Sequence, residues 1–133
     1  LYTIVKDLKT ATSSFAGLSF QALPAVLIYG IFQTSLSEEL LFRGFLLKRL
    51  ASRLPFVVAN TIQAALFGLL HGLMFITVLS WQQTLLIILC TSGIAAYMGF
   101  VNEKKSDGSI LASWIIHALA NVITGSLSAF MLI

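Results

Sequence analysis

Glu38-Glu39-Leu40-Leu41-Phe42-Arg43 puts three charges within six residues of a chain that is otherwise almost uniformly apolar. Around this stretch, the 133 residues are 58% hydrophobic and 10% charged, with a mean hydropathy of +0.95. A soluble domain is about 45–50% apolar and about 25% charged, so this is the composition of a membrane protein. At the centre of a bilayer each charge costs about 2.5–3.5 kcal/mol to insert, so a charge kept there has a partner or a task. On a helix Glu39 and Arg43 form an i,i+4 pair on one face, and Glu38 points about 100° away. The spacing predicts that Arg43 neutralises Glu39 and leaves Glu38 to face something else.

Residues 1–17 carry Lys6, Asp7, Lys9 and a Thr/Ser-rich patch, and read as an interfacial N-terminal segment. Residues 18–133 read as one membrane-embedded domain. The chain opens with Leu1 rather than Met, so it is expected to be the core of something longer. Leu18 to Thr34 is apolar but broken by Pro24 and Gly30, which predicts a short or kinked first span. Ser35-Leu36-Ser37-Glu38 has the form of a capping box, so a helix is expected to restart there and run to about Leu50. Pro55 opens an apolar run from Phe56 to Leu79, and Ser80-Trp81-Gln82-Gln83 reads as a polar turn with an interfacial tryptophan. Thr84 to Val101 is the next span; its small residues Ser92, Gly93, Ala95, Ala96 and Gly99 suit close helix contact. Asn102 to Gly108 is a charged loop before the last span, Ser109 to Ile133. The expected fold class is all-α: a polytopic transmembrane helix bundle with a central polar cavity.

Residues 48–53 and 102–108 hold five of the eight Lys and Arg residues. Two spans separate them, so they fall on one side, which the positive-inside rule makes cytoplasmic. The net charge of +3 is no nucleic-acid signal, because no basic cluster is interleaved with aromatics. Cys90 is the single cysteine, which excludes an intramolecular disulfide and a thiolate metal site. Counted along helices from the cytoplasmic ends, Glu38, Glu39, His71, His117 and Asn121 all lie roughly 12–24 Å deep. That is the middle of a hydrocarbon core about 30 Å thick. Both histidines and the one mid-span acidic pair therefore share a depth, which predicts a single site.

Phe67 and His71 are i,i+4 neighbours on one span, and His117 and Asn121 on another. A lone membrane histidine or asparagine is ordinarily helix–helix glue; it is the joint occurrence that points to function. Glutamate with histidine in a desolvated pocket is a general-base pair for activating water. Histidine with asparagine supplies donors for a developing oxyanion. Together they make an acyl-transfer site with water as nucleophile. Two histidines and a glutamate are also a catalytic zinc set, in which case Glu38, His71 and His117 would be the ligands. No His-Glu-x-x-His occurs, and spacing leaves that alternative open. Cys90, Tyr97, Trp81 and Trp114 read as packing or interface residues.

Glu38-Glu39-x-x-x-Arg43, Phe67-x-x-x-His71 and His117-x-x-x-Asn121, in this order on separate apolar segments, resemble the CPBP family. Its members include the CAAX prenyl protease 2-like (type II CAAX), Abi, bacteriocin-processing and lysostaphin-resistance-protein-A-like intramembrane proteases. Every motif position is matched, over residues 38–121. The resemblance implies an intramembrane endopeptidase in which Glu38 and His71 activate water. It assigns His117 and Asn121 to the oxyanion hole, and Glu39, Arg43 and Phe67 to supporting the four catalytic residues. It favours a metal-free glutamate mechanism with no cofactor. Substrates would be membrane-associated peptides or proteins, prenylated CAAX-type or bacteriocin-type. The expected setting is the plasma membrane of a bacterium, with the site open to the cytoplasm. The expected partners are the lipid bilayer and a peptide or protein substrate, with no nucleic acid. The rival reading is a non-catalytic membrane adaptor or bacteriocin self-immunity protein using the same polar groups as glue.

Overall fold

The computed structural model describes residues 11–132, so residues 1–10 of the expected interfacial segment lie outside the described residues. Every regular element among the described residues is helical. Short 3-10 turns at Ala11–Phe15 and Ser19–Ala22 lead into a first helical stretch, α1, covering residues 23–51. Then follow α2 (Phe56–Leu73), α3 (Trp81–Lys105) and α4 (Leu111–Ala129). These last three are long and apolar enough to cross a membrane, and α2, at 18 residues, spans about 27 Å. The chain is a multi-pass membrane protein. Its outward side chains agree: Phe45, Val57, Leu70, Leu89, Ile94 and Leu119 are all more than half exposed, a surface suited to lipid.

Two expectations for α1 need correction. Pro24 does not kink a span, because it sits in the first turn of the α-helical segment Leu23–Ile28, where its missing N–H has no partner to lose. The capping box at Ser35–Glu38 is not formed either. Ser35 Oγ donates back to Gly30 O at 2.5 Å and Ser37 Oγ to Gln33 O at 2.5 Å, so both serines are helix-interior residues. The helix does not restart; it widens. Tyr29–Leu36 and Leu40–Leu47 are π-helical, flanking the α-helical turn Ser37–Glu39. Such segments are rare and concentrate at functional sites.

The real capping box lies at the turn before α3. There Ser80 Oγ accepts from Gln83 N, while Ser80 N donates to Gln83 Oε1 at 3.0 Å. It starts α3 at Trp81, and Lys104 and Lys105 close the helix at its negative end.

The chain divides into two compact units, one of Glu38–Ser113 and one joining the chain up to Ser37 with Trp114 onward. In the first unit α2 and α3 run antiparallel at close approach. A Cβ on Gly68 would overlap Ser92 Oγ, one on Gly72 would overlap Ile88 Cγ1, and one on Gly99 would overlap Asn60 Oδ1. Small residues thus let the two backbones meet, as packing in lipid requires. Gly93 is the exception, with nothing within 4 Å of its Cβ position. Asn60 and Gln63 tie the pair further, donating to Ala96 O at 2.9 Å and Ala95 O at 3.1 Å. Phe42, Ala64, Phe67 and Ala95 form this unit's apolar core. In the second unit Ala22, Val26 and Ala129 pack together with Phe15 and Phe130 against them.

Candidate active site

In the Glu38–Ser113 unit the two neighbouring glutamates have opposite environments. Glu39 is wholly buried, and its Oε1 takes a hydrogen bond from Arg43 Nη1 at 3.0 Å, with both side chains at 0% exposure. Its Oε2 takes a second, from Ser113 Oγ at 2.5 Å. Ser113 is in turn held by Asn102, which accepts the Ser113 backbone N–H at 3.2 Å and donates Nδ2 to Ser113 Oγ at 2.7 Å. The backbone N–H can only donate, so Asn102 Oδ1 must face it and Nδ2 must face the hydroxyl. The hydroxyl proton is then left for Glu39 Oε2, the shorter contact, with Ile110 O at 3.1 Å as its second acceptor.

Arg43 Nε and Nη2 find no hydrogen-bond partner among the described residues. The guanidinium instead lies over the Phe67 ring, with Cζ 4.4 Å from the centroid. A cation desolvated against a π face recovers about 2 kcal/mol. Phe67 also meets Phe42 edge-on at 4.9 Å and the His71 ring at 4.3 Å. The aromatic one turn before His71 is therefore the wedge between the buried ion pair and the imidazole.

Glu38 is about one third exposed, and its Oε2 lies 4.0 Å from His71 Nε2, whose side chain is 30% exposed. That distance exceeds a hydrogen bond. His71 Nδ1 meets Phe67 O at 2.9 Å, and since a carbonyl only accepts, Nδ1 carries the proton. In the neutral ring Nε2 is then an acceptor, facing the carboxylate acceptor of Glu38. Two acceptors this close are suited to a molecule that donates to both, as water does.

The second unit carries His117 and Asn121, one turn apart on α4. His117 is half-buried. Asn121 Nδ2 donates to Thr34 Oγ1 at 2.9 Å and to Ser35 Oγ at 3.0 Å. Trp114 is more than a packing residue: its Nε1 donates to Ile31 O at 2.8 Å and its ring lies 6.2 Å from Phe32. Five polar residues at these two centres, Thr34, Ser35, Asn102, Ser113 and Trp114, were not legible as such. Ser113 and Glu39 are 74 positions apart, and no local pattern joins them. Asn102 stood at the edge of a charged loop, and Thr34 and Ser35 had the look of a span's end.

Of the residues the zinc alternative would use, Glu38 and His71 lie in the Glu38–Ser113 unit and His117 in the other; among the described residues no three His, Cys, Asp or Glu side chains form a group that could hold a metal ion.

A family model described as type II CAAX prenyl endopeptidase Rce1-like matches residues 20–123. Comparison with curated proteins and with solved structures returns no match.

Proposed function

The chain belongs to the type II CAAX prenyl endopeptidase Rce1-like family, and on that premise we propose that it hydrolyses a peptide bond of a membrane-associated substrate with water activated by Glu38 and His71. The observation that carries the reading is the contrast between the two glutamates. Glu39 is neutralised and sealed, whereas the Glu38 side chain is about one third exposed, with its buried Oε2 4.0 Å from an imidazole nitrogen that has no proton of its own in the neutral ring. A water donating to both gains nucleophilic character as its proton moves to the carboxylate. Its oxygen attacks the scissile carbonyl carbon, and the proton held on Glu38 passes to the leaving amine as the C–N bond breaks. His117 and Asn121 bind the scissile peptide group and stabilise its oxyanion. The substrate class that fits the family is a prenylated CAAX-type C-terminus, with a bacteriocin-type precursor as second choice. The ends bearing Lys48, Arg49, Arg53, Lys104 and Lys105 face the cytoplasm, in the plasma membrane of a bacterium.

The test is Glu38→Gln, purified in detergent and assayed by mass spectrometry on a farnesylated CAAX peptide. The variant keeps size and hydrogen bonding but lacks the base, so kcat should fall about 10²–10⁴-fold with an unchanged far-UV spectrum and elution volume. Parent-like cleavage by the variant would remove the glutamate mechanism. A variant that no longer folds would make Glu38 structural and favour an adaptor.

A further inference from the structure

The Asn121 amide makes two hydrogen bonds, and both leave from its nitrogen: one to Thr34 Oγ1, one to Ser35 Oγ. An amide has two N–H bonds, so both are engaged. Which end of the amide faces the hydroxyls follows from where their protons go. Thr34 Oγ1 donates to Tyr29 O at 3.1 Å, and Ser35 Oγ donates to Gly30 O at 2.5 Å. A carbonyl cannot donate, and a hydroxyl has one proton, so each hydroxyl meets Asn121 with a lone pair and requires an N–H there.

The backbone makes this convergence feasible. Both acceptor carbonyls lie five residues back, in the π-helical segment Tyr29–Leu36. A turn closed from i to i+5 holds roughly 4.4 residues, so consecutive side chains diverge by less than the 100° of an α-helix. Thr34 and Ser35, adjacent in sequence, can therefore address one amide. Gly30 keeps this region close: a Cβ there would stand 3.2 Å from Val122 Cγ2 and 3.3 Å from Val122 N, the residue after Asn121.

We propose that Thr34 and Ser35 are positioning residues that hold the Asn121 amide in one orientation, with its nitrogen on the π-helical segment and Oδ1 turned away from it. The proposal rests on the assignment of Asn121 to the peptide-binding machinery made above, and deepens it. The two hydroxyls fix where the Asn121 nitrogen sits, so the amide meets a substrate peptide group in one orientation rather than two.

Two measurements decide it. The first needs no substrate. In 15N-labelled protein in micelles, the Asn121 side-chain signal, assigned by its loss in Asn121→Ala, should exchange with solvent at least about tenfold faster in Thr34→Val and in Ser35→Ala than in the parent. Unchanged exchange and shift in both variants would overturn the clamp. The second uses the farnesylated CAAX peptide. Thr34→Val should lower kcat about 10–100-fold with little change in KM, and Thr34→Ser, which restores the hydroxyl, should recover it. Parent-like kcat in Thr34→Val combined with Ser35→Ala would also sink the proposal. A parent enzyme that fails to cleave the peptide counts against the proposed function, while the exchange measurement still decides the clamp.

Discussion

At the scale of single residues, the arrangement separates two chemically identical side chains by what surrounds them. Glu39 gains a guanidinium and a hydroxyl, and Glu38 an imidazole 4.0 Å away and a side chain about one third exposed. Removing one partner of a buried ion pair is far costlier than its Coulomb energy suggests, because the survivor is stranded. Arg43→Ala should therefore lower stability by about 3–5 kcal/mol, read as earlier unfolding in an SDS titration, with activity lost alongside. Normal yield and normal unfolding in that variant would show the pair to be dispensable. Ser113→Ala strips one hydrogen bond from the buried carboxylate and leaves Asn102 Nδ2 without its acceptor. It should cost about 1–3 kcal/mol in the same titration, with no loss of the Arg43 contact. The i,i+4 pairing of Glu39 with Arg43 was legible from spacing alone, because both members lie on one helix. The roles of Ser113 and Asn102 were not, because only folding brings positions 39, 102 and 113 together.

At the scale of elements, the boundaries of α2, α3 and α4 were close to those expected from hydropathy. The differences have local causes. The apolar run after Pro55 ends as a helix at Leu73, and turns fill the stretch to Ser80. Hydropathy cannot see that break, since apolar turn residues score like helical ones. α1 departs further, because a periodicity of 3.6 has no way to register π-helical turns. The α2–α3 contact gives a paired prediction. Gly68→Ala must push Ser92 and the Ile88 carbonyl aside, and overpacking of this kind costs about 1–3 kcal/mol. Gly93→Ala meets open space and should be neutral or stabilising by up to about 1 kcal/mol through helix propensity. Equal effects of the two substitutions in SDS titration would mean that α2 and α3 do not approach as described.

At the scale of the whole molecule, the surface is inverted relative to a water-soluble protein. Large apolar side chains face outward, and Glu39, Arg43, Gln63, Asn102 and Ser113 are buried. Lipid removes the penalty for the first and raises the stakes for the second; Glu39, Asn102 and Ser113 meet it by bonding to one another, and Arg43 by its bond to Glu39 and its place over the Phe67 ring. The basic ends supply the remaining prediction. With Cys90 replaced by Ser, single cysteines introduced at Arg53 and Lys105 should both react with an impermeant maleimide only after the cell membrane is opened. Labelling of intact cells at either position would reverse the orientation.

The sequence by itself determined the class of the molecule. Composition, four apolar stretches and the order of three polar motifs are local or additive properties, and they suffice to give a multi-pass helical protein of a peptidase family. The sequence also determined the Glu39–Arg43 pair, since helical spacing carries it. Only the tertiary structure decided which glutamate is sealed by Ser113, that Phe67 is a face for a guanidinium, and that the Asn121 amide is bound through its nitrogen. Each of these depends on contacts across many positions of chain, or on the register of a π-helical turn. A hydroxyl or an amide has no fixed role until the fold specifies which neighbour takes its proton.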